Sequence, residues 1–212
     1  MKSFLKPLLL ATALFTVAVS VSAQPSLYVK GTHYEEISEP VRTSNPNKVE
    51  VAEVFWYGCS HCYAFEPLIS SWEEGLPSDV NFVRSPGMWN ALMETHAQIY
   101  YAAEALDVHE LTHSAAFDEI HQRGNYLQTE EQVKEFFTSK GVESSEFDKA
   151  WNSFSVTSAV KKAGTRMRDY GVRGVPNLIV NGKYRVEVGD AVKTQADMLK
   201  VVEFLIEQER GS

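Results

Sequence analysis

The 212-residue chain contains two cysteines, Cys59 and Cys62, separated only by Ser60 and His61. Thiols at that spacing can close a structural disulfide, hold half of a zinc site, or exchange a disulfide with another protein. The structural disulfide is the plainest reading. In the chain-entropy model, however, so short a loop contributes only about 2 kcal/mol, against about 4.7 for a hundred-residue loop. A closed zinc site needs four ligands, and with no third cysteine two histidines would have to complete it. Exchange fits the local sequence best. A strand-like run ends at Gly58 and a helical pattern begins at Cys62. Cys59 therefore sits at a helix N-terminus, where unpaired N–H groups and the positive end of the helix dipole favour thiolate over thiol. His61, when protonated, adds a positive charge, and Ser60 offers a hydroxyl. Together they predict a strongly acidic Cys59, taken as a fall from ~8.5 to ~4, with Cys62 buried and less acidic. A stabilised thiolate favours the reduced form and makes the disulfide a better oxidant.

A second constellation is His109-Glu110-Leu111-Thr112-His113, which spells the helix motif of zinc proteases. The continuation that one class of those enzymes needs is missing: positions 116 and 119 hold Ala116 and Glu119 in place of Gly and His. Glu130, Glu131 and Glu135 are the acids available as a third ligand. The expectation is a solvated helix face with no catalytic metal.

The elements that must position the cysteines can be read from periodicity. Val49 to Tyr57 is rich in β-branched and aromatic residues and reads as a buried strand. Cys62 to Glu74 carries Phe65, Leu68, Ile69 and Trp72 at helical spacing, with Pro67 expected to kink or split the helix. Val80 to Arg84 is a second strand. From Trp89 to about Ala163 strand-like runs are largely absent, and the sequence reads as several helices, one starting near Thr129 and stopping at Gly141. Leu178 to Val180 and Lys183 to Val188 flank Asn181-Gly182, a two-residue hairpin signal. Thr194 to Glu209 is an amphipathic helix. The order βαβ, helical lobe, ββα gives an α/β class: a thioredoxin fold with an inserted all-helical lobe. The expected division is 24–88 plus 164–212 for the thioredoxin-like domain and 89–163 for the insertion.

Lys2 and Lys6 precede an apolar run from Leu8 to Val19, and Val21-Ser22-Ala23 supplies small residues for cleavage. Residues 1–23 therefore read as a signal peptide, too short in its apolar part to span a membrane. Loss of the two lysines takes the formal charge from −8 to −10, which argues against a nucleic-acid partner.

The stretch Glu53-Val54-Phe55-Trp56-Tyr57-Gly58-Cys59-Ser60-His61-Cys62-Tyr63-Ala64-Phe65-Glu66 resembles the active-site strand and helix of the bacterial DsbA family. So do Ala150-Trp151-Asn152-Ser153-Phe154, Arg173-Gly174-Val175-Pro176 and Val180-Asn181-Gly182-Lys183-Tyr184, in the right order over nearly all of the mature chain. The resemblance implies a periplasmic oxidase that gives its Cys59–Cys62 disulfide to exported, unfolded proteins with free cysteines. It implies reoxidation by a quinone-linked membrane protein of the DsbB type, action as a monomer, and no cofactor beyond the disulfide. Cys59 would be the attackable sulfur and Cys62 its internal partner. Val175-Pro176 would carry a cis peptide, with Val175 pairing to substrate main chain and Phe65 also assigned to substrate contact. Glu53 shares a strand face with Val51 and Phe55. The resemblance makes it a buried acid that exchanges protons with Cys62, with Arg84 as its basic partner. The family's commonest dipeptide between the cysteines is Pro-His, so Ser60 is a departure. A reducing or isomerising enzyme, and a binding module with structural cysteines, are the competing functions.

Overall fold

The computed structural model describes residues 26–211. The signal peptide read over residues 1–23 lies outside them. The fold is organised around β2 (Val49–Phe55), in which six of seven residues are buried. β2 pairs in parallel with β3 (Val80–Pro86) and antiparallel with β4 (Asn177–Val180). β4 continues antiparallel to β5 (Tyr184–Val186), and a two-residue β1 (Glu35–Glu36), which the sequence reading missed, closes that edge.

A strand buried on both faces needs apolar residues on both, and VEVAEVF supplies them. Val51 packs with Phe65 and Ile69 of α1 (Ser60–Glu74) and with Leu205 of α7 (Gln195–Arg210). Ala52 and Val54 turn the other way, onto Met167 and Tyr170. Between β3 and β4 come α2 (Ala91–Ala105), α3 (His109–His121), α4 (Glu130–Ser139), α5 (Ser144–Trp151) and α6 (Phe154–Asp169). The start of α4 is fixed by reciprocal bonds between Thr129 and Gln132, which satisfy N–H groups that no helical carbonyl can reach. Phe55, Tyr57 and Cys62 belong to the same buried cluster as Phe117, Phe137 and Phe147 of the lobe, so the lobe and the end of β2 share one core.

Three expectations need correction. α1 runs unbroken from Ser60 to Glu74 despite Pro67. Pro67 lies on the exposed face, where water can satisfy the carbonyl that its missing N–H leaves free. The boundary drawn at 163 falls inside α6, which continues to Asp169 and packs on the sheet with its last turns. The last strand stops at Val186 rather than Val188.

In the β4–β5 turn, Asn181 and Gly182 have φ of 50° and 64°, and the Lys183 N–H donates to the Val180 carbonyl at 2.9 Å. A Cβ on Gly182 would lie 1.9 Å from the Val41 carbonyl oxygen. Gly182→Ala therefore combines left-handed strain with a clash against backbone, and should lower unfolding stability by about 3 kcal/mol in urea denaturation. A loss under ~1 kcal/mol would show that the 41 segment simply moves aside.

Candidate active site

β2 ends at Phe55, and Trp56 to Gly58 make the turn into α1, closed by the Cys59 N–H donating to the Trp56 carbonyl at 2.9 Å. A Cβ on Gly58 would fall 2.3 Å from the Trp56 ring, so the indole can fold over this turn only if residue 58 is glycine. Cys59 is the N-cap of α1, with φ −88° and ψ 115°. Its sulfur accepts the Cys62 N–H at 3.3 Å. On its other side the thiol donates to the Val175 carbonyl at 3.5 Å, and the Val175–Pro176 peptide is cis. Cys59 is half-buried and Cys62 has no exposure at all.

These contacts set the two thiols apart. The hydrogen bond from the Cys62 thiol, the backbone N–H groups of Cys62 and His61, and finally the His61 charge pull the Cys59 pKa down to about 6, against a partial opposing effect of burial. That is less acidic than the ~4 expected from sequence. The His61 ring is exposed to water, which screens its charge, and the half-burial of the sulfur works against ionisation. Burial pushes the Cys62 thiol far up, with the Cys59 hydrogen bond and charge adding to it.

Glu53 is 1% exposed. Burial raises its pKa to about 8, although Arg84 pulls the other way. The Arg84 Nε lies 3.5 Å from Glu53 Oε2, beyond good hydrogen-bond reach, while the same guanidinium meets Glu66 at 3.3 Å and Glu73 at 2.7 Å. Glu53 is among the charges that act on Cys62. Glu66 was not singled out from the sequence. Its signal was its place on the apolar stripe of α1 with Cys62, Phe65 and Ile69: a charge on a buried face. Burial alone would raise its pKa, but His113 and Arg84 hold it below the usual range.

The expectation of a solvated face at His109 and His113 is wrong. His113 is 5% exposed, because Thr112, His113, Ala116, Phe117 and Ile120 form the buried stripe of α3. Its Nδ1 is 2.9 Å from the Tyr57 hydroxyl and its Nε2 is 3.3 Å from Glu66. Its pKa is lowered by burial, with Glu66 opposing. Among the described residues no three His, Cys, Asp or Glu side chains converge as metal ligands. Phe65 is the other correction: with no exposed surface, it packs under the sheet against α7 and cannot touch a substrate there. Its spacing in the helix marked it as core, and that reading holds.

The half-buried sulfur, its buried partner and an acid protonated near neutrality suit two-step thiol–disulfide exchange. Titrating the ultraviolet absorbance of the thiolate should give a midpoint near pH 6. The thiolate's contribution to the reduced fold is complete only above the unfolded thiol pKa and is lost as pH falls through 6. A midpoint near the free-thiol value would remove the helix end from the account.

Glu53→Gln should slow exchange while raising stability. Between pH 4.5 and 8 the folded protein keeps a proton that the unfolded chain has released, so the wild type loses stability as pH rises through that window. The variant's advantage should be absent below the window, about 3 kcal/mol at pH 7, and constant above it. An advantage that is the same at pH 4 and pH 8 would mean that folding leaves the Glu53 carboxyl unshifted.

The comparisons with known proteins agree with this geometry. The family model described as a DSBA-like thioredoxin domain matches residues 70–200. The thiol:disulfide interchange protein DsbA of Pseudomonas aeruginosa is 41% identical over 206 residues, covering 96% of this chain and 97% of that one. Its namesake in Azotobacter vinelandii is 40% identical over 212 residues, covering 100% and 99%. A crystal structure of Pseudomonas aeruginosa DsbA superposes with a TM-score of 0.83 at 42% identity over 87% of this chain and 95% of that one. The oxidoreductase DsbA from Xylella fastidiosa gives 0.81 at 28% identity, over 88% and 100%.

Proposed function

The chain belongs to the DsbA family of thiol:disulfide interchange proteins, and from that membership we propose that Cys59 and Cys62 pass their disulfide to newly exported proteins in the periplasm. It is a thiol–disulfide oxidoreductase of the dithiol oxidase type. The observation that carries the direction of transfer is the Cys59 thiol, lowered to about 6 at the cap of α1.

In the oxidised enzyme a substrate thiolate attacks Cys59 Sγ. The Cys59–Cys62 bond breaks, and Cys62 departs as a thiolate that takes a proton from Glu53. A second substrate thiolate then attacks the substrate sulfur of the mixed disulfide, and Cys59 leaves as a thiolate. Two electrons pass from the substrate to the pair. The last step gains from an acidic leaving group. With Cys59 at about 6, the reduced form is favoured at pH 7 by at most about 30 mV from this source, less the screening at a half-exposed sulfur. The Val175 carbonyl beside Cys59 belongs to the backbone segment on which an extended substrate can lie, a mode largely indifferent to side chains.

The apolar leader supports export to the periplasm, and the negative charge of the chain supports a protein with no nucleic-acid partner; in this reading the enzyme acts as a monomer whose redox group is the Cys59–Cys62 disulfide. A quinone-linked membrane protein of the DsbB type takes the two electrons and renews it.

Cys62→Ala should accumulate a mixed disulfide through Cys59, and Cys59→Ala should not; a protein with purely structural cysteines would trap nothing in either case. Equilibrated with glutathione at pH 7, the wild type should be mostly reduced under conditions that keep ordinary protein disulfides intact. An equilibrium on the disulfide side would make it a reductant.

A further inference from the structure

The last helix starts against the reactive pair. Thr194 caps α7, its side chain accepting the Asp197 N–H at 3.1 Å, and Met198, Leu199, Val202 and Leu205 bury the following turns in the core with Val51 and Phe65. Gln195, the first residue of the helix, is half-buried and borders the recess it shares with His61 and Pro176. Its amide nitrogen donates to the His61 backbone carbonyl at 2.6 Å. A carbonyl only accepts, which fixes the nitrogen end of the amide. Because α7 is held by its buried stripe, this donor is delivered from a fixed platform.

The carbonyl it meets is one end of the His61–Cys62 peptide. The other end of that planar group is the Cys62 N–H, which donates to Cys59 Sγ at 3.3 Å. Hydrogen bonds in series through one peptide strengthen each other by roughly 10–30%, and a bond to an ionised acceptor is the strongest kind. We infer that Gln195 is a positioning residue for disulfide exchange: its amide orients and polarises the His61–Cys62 peptide and so strengthens the N–H that holds the Cys59 sulfur. The inference rests on the oxidase reading above and adds a distant residue to its site. The Cys62 N–H is among the groups that keep the Cys59 thiol acidic, after the Cys62 thiol and against burial. Gln195 is uncharged, so replacing it with another neutral residue leaves every charge near the sulfur in place: His61 on α1, Glu53 on β2, and Lys193 and Glu187 around the recess. What changes is the strength and aim of one donor.

The test compares the full mature protein with Gln195→Met, which keeps the length of the side chain and loses the donor. Gln195→Ala serves if the first variant does not fold. The midpoint of the thiolate absorbance should rise by about half a pH unit, a roughly threefold weaker acid. At pH 7 the equilibrium with glutathione should move toward the protein disulfide by about two- to threefold. Neither readout involves a protein substrate, so a lost substrate contact in the recess cannot imitate it. Denaturation midpoints separate this role from a merely structural one. The reduced variant should lose more stability than the oxidised variant at pH 7, and the difference should vanish at pH 4, where Cys59 is protonated in both proteins. A thiolate midpoint within about 0.1 unit of the wild type, or equal losses in the two redox forms at pH 7, overturns the inference. If Cys62→Ala traps no mixed disulfide, the oxidase reading falls and the inference with it; normal trapping with an unmoved midpoint overturns the inference alone.

Discussion

A sulfur atom closes the first turn of α1. Cys59 accepts the Cys62 N–H in the place where serine, threonine or aspartate usually caps a helix. A thiol is a poor acceptor and a thiolate a good one. Cap strength and charge state are therefore one variable, and deprotonation tightens the helix start. The rest of the architecture delivers this contact: β2 carries the chain to the turn, the Trp56 ring folds over Gly58, and the Val175 carbonyl closes the opposite side. The half-burial that makes the sulfur selective also limits its acidity, so the two requirements meet at a pKa of about 6.

Beneath the cysteines, one guanidinium faces three carboxylates. Which acid stays ionised follows from distance and desolvation. Glu66 has Arg84, Ser70 and His113 around it, and their summed attraction exceeds the cost of burial. Glu53 is buried, and its one ion-pair contact among the described residues is at 3.5 Å, so desolvation wins and the proton stays on near neutrality. The same buried cluster thus holds one carboxylate as a fixed charge and leaves another free to exchange a proton.

The sequence made the reactive pair legible because a helix N-terminus after a strand is a local signal, and Cys59, Ser60, His61 and Cys62 contain it whole. Asn181-Gly182 was equally local, and the structure has both residues at positive φ. What sequence reading lost was tertiary. His113 and Glu66 are polar residues on apolar stripes, and only the packing of α3 against α1 and β2 shows that they meet. Phe65 lies one turn after Cys62 on the same buried stripe of α1, but it packs in the core with α7 and has no exposed surface, so proximity in sequence misassigned it. The shift of the Cys59 pKa was overestimated because the half-burial of the sulfur, which opposes ionisation, is not a property of the motif. The family resemblance placed the cis bond before Pro176, which the residues themselves could not show.

The shared core has a consequence for how such a chain can change over evolutionary time. Because α6 starts in the lobe and ends on the sheet, and because Phe55, Tyr57 and Cys62 are walled in by lobe residues, the insertion cannot be deleted to recover a smaller ancestor-like scaffold. Excision would cut a helix and wet the inner sulfur. Length variation should instead collect in the segments between α3 and α4 and between α4 and α5, where the chain turns at the surface. The lobe behaves as a graft that has grown into its host: free to vary at its outer loops, and fixed where it meets the sheet.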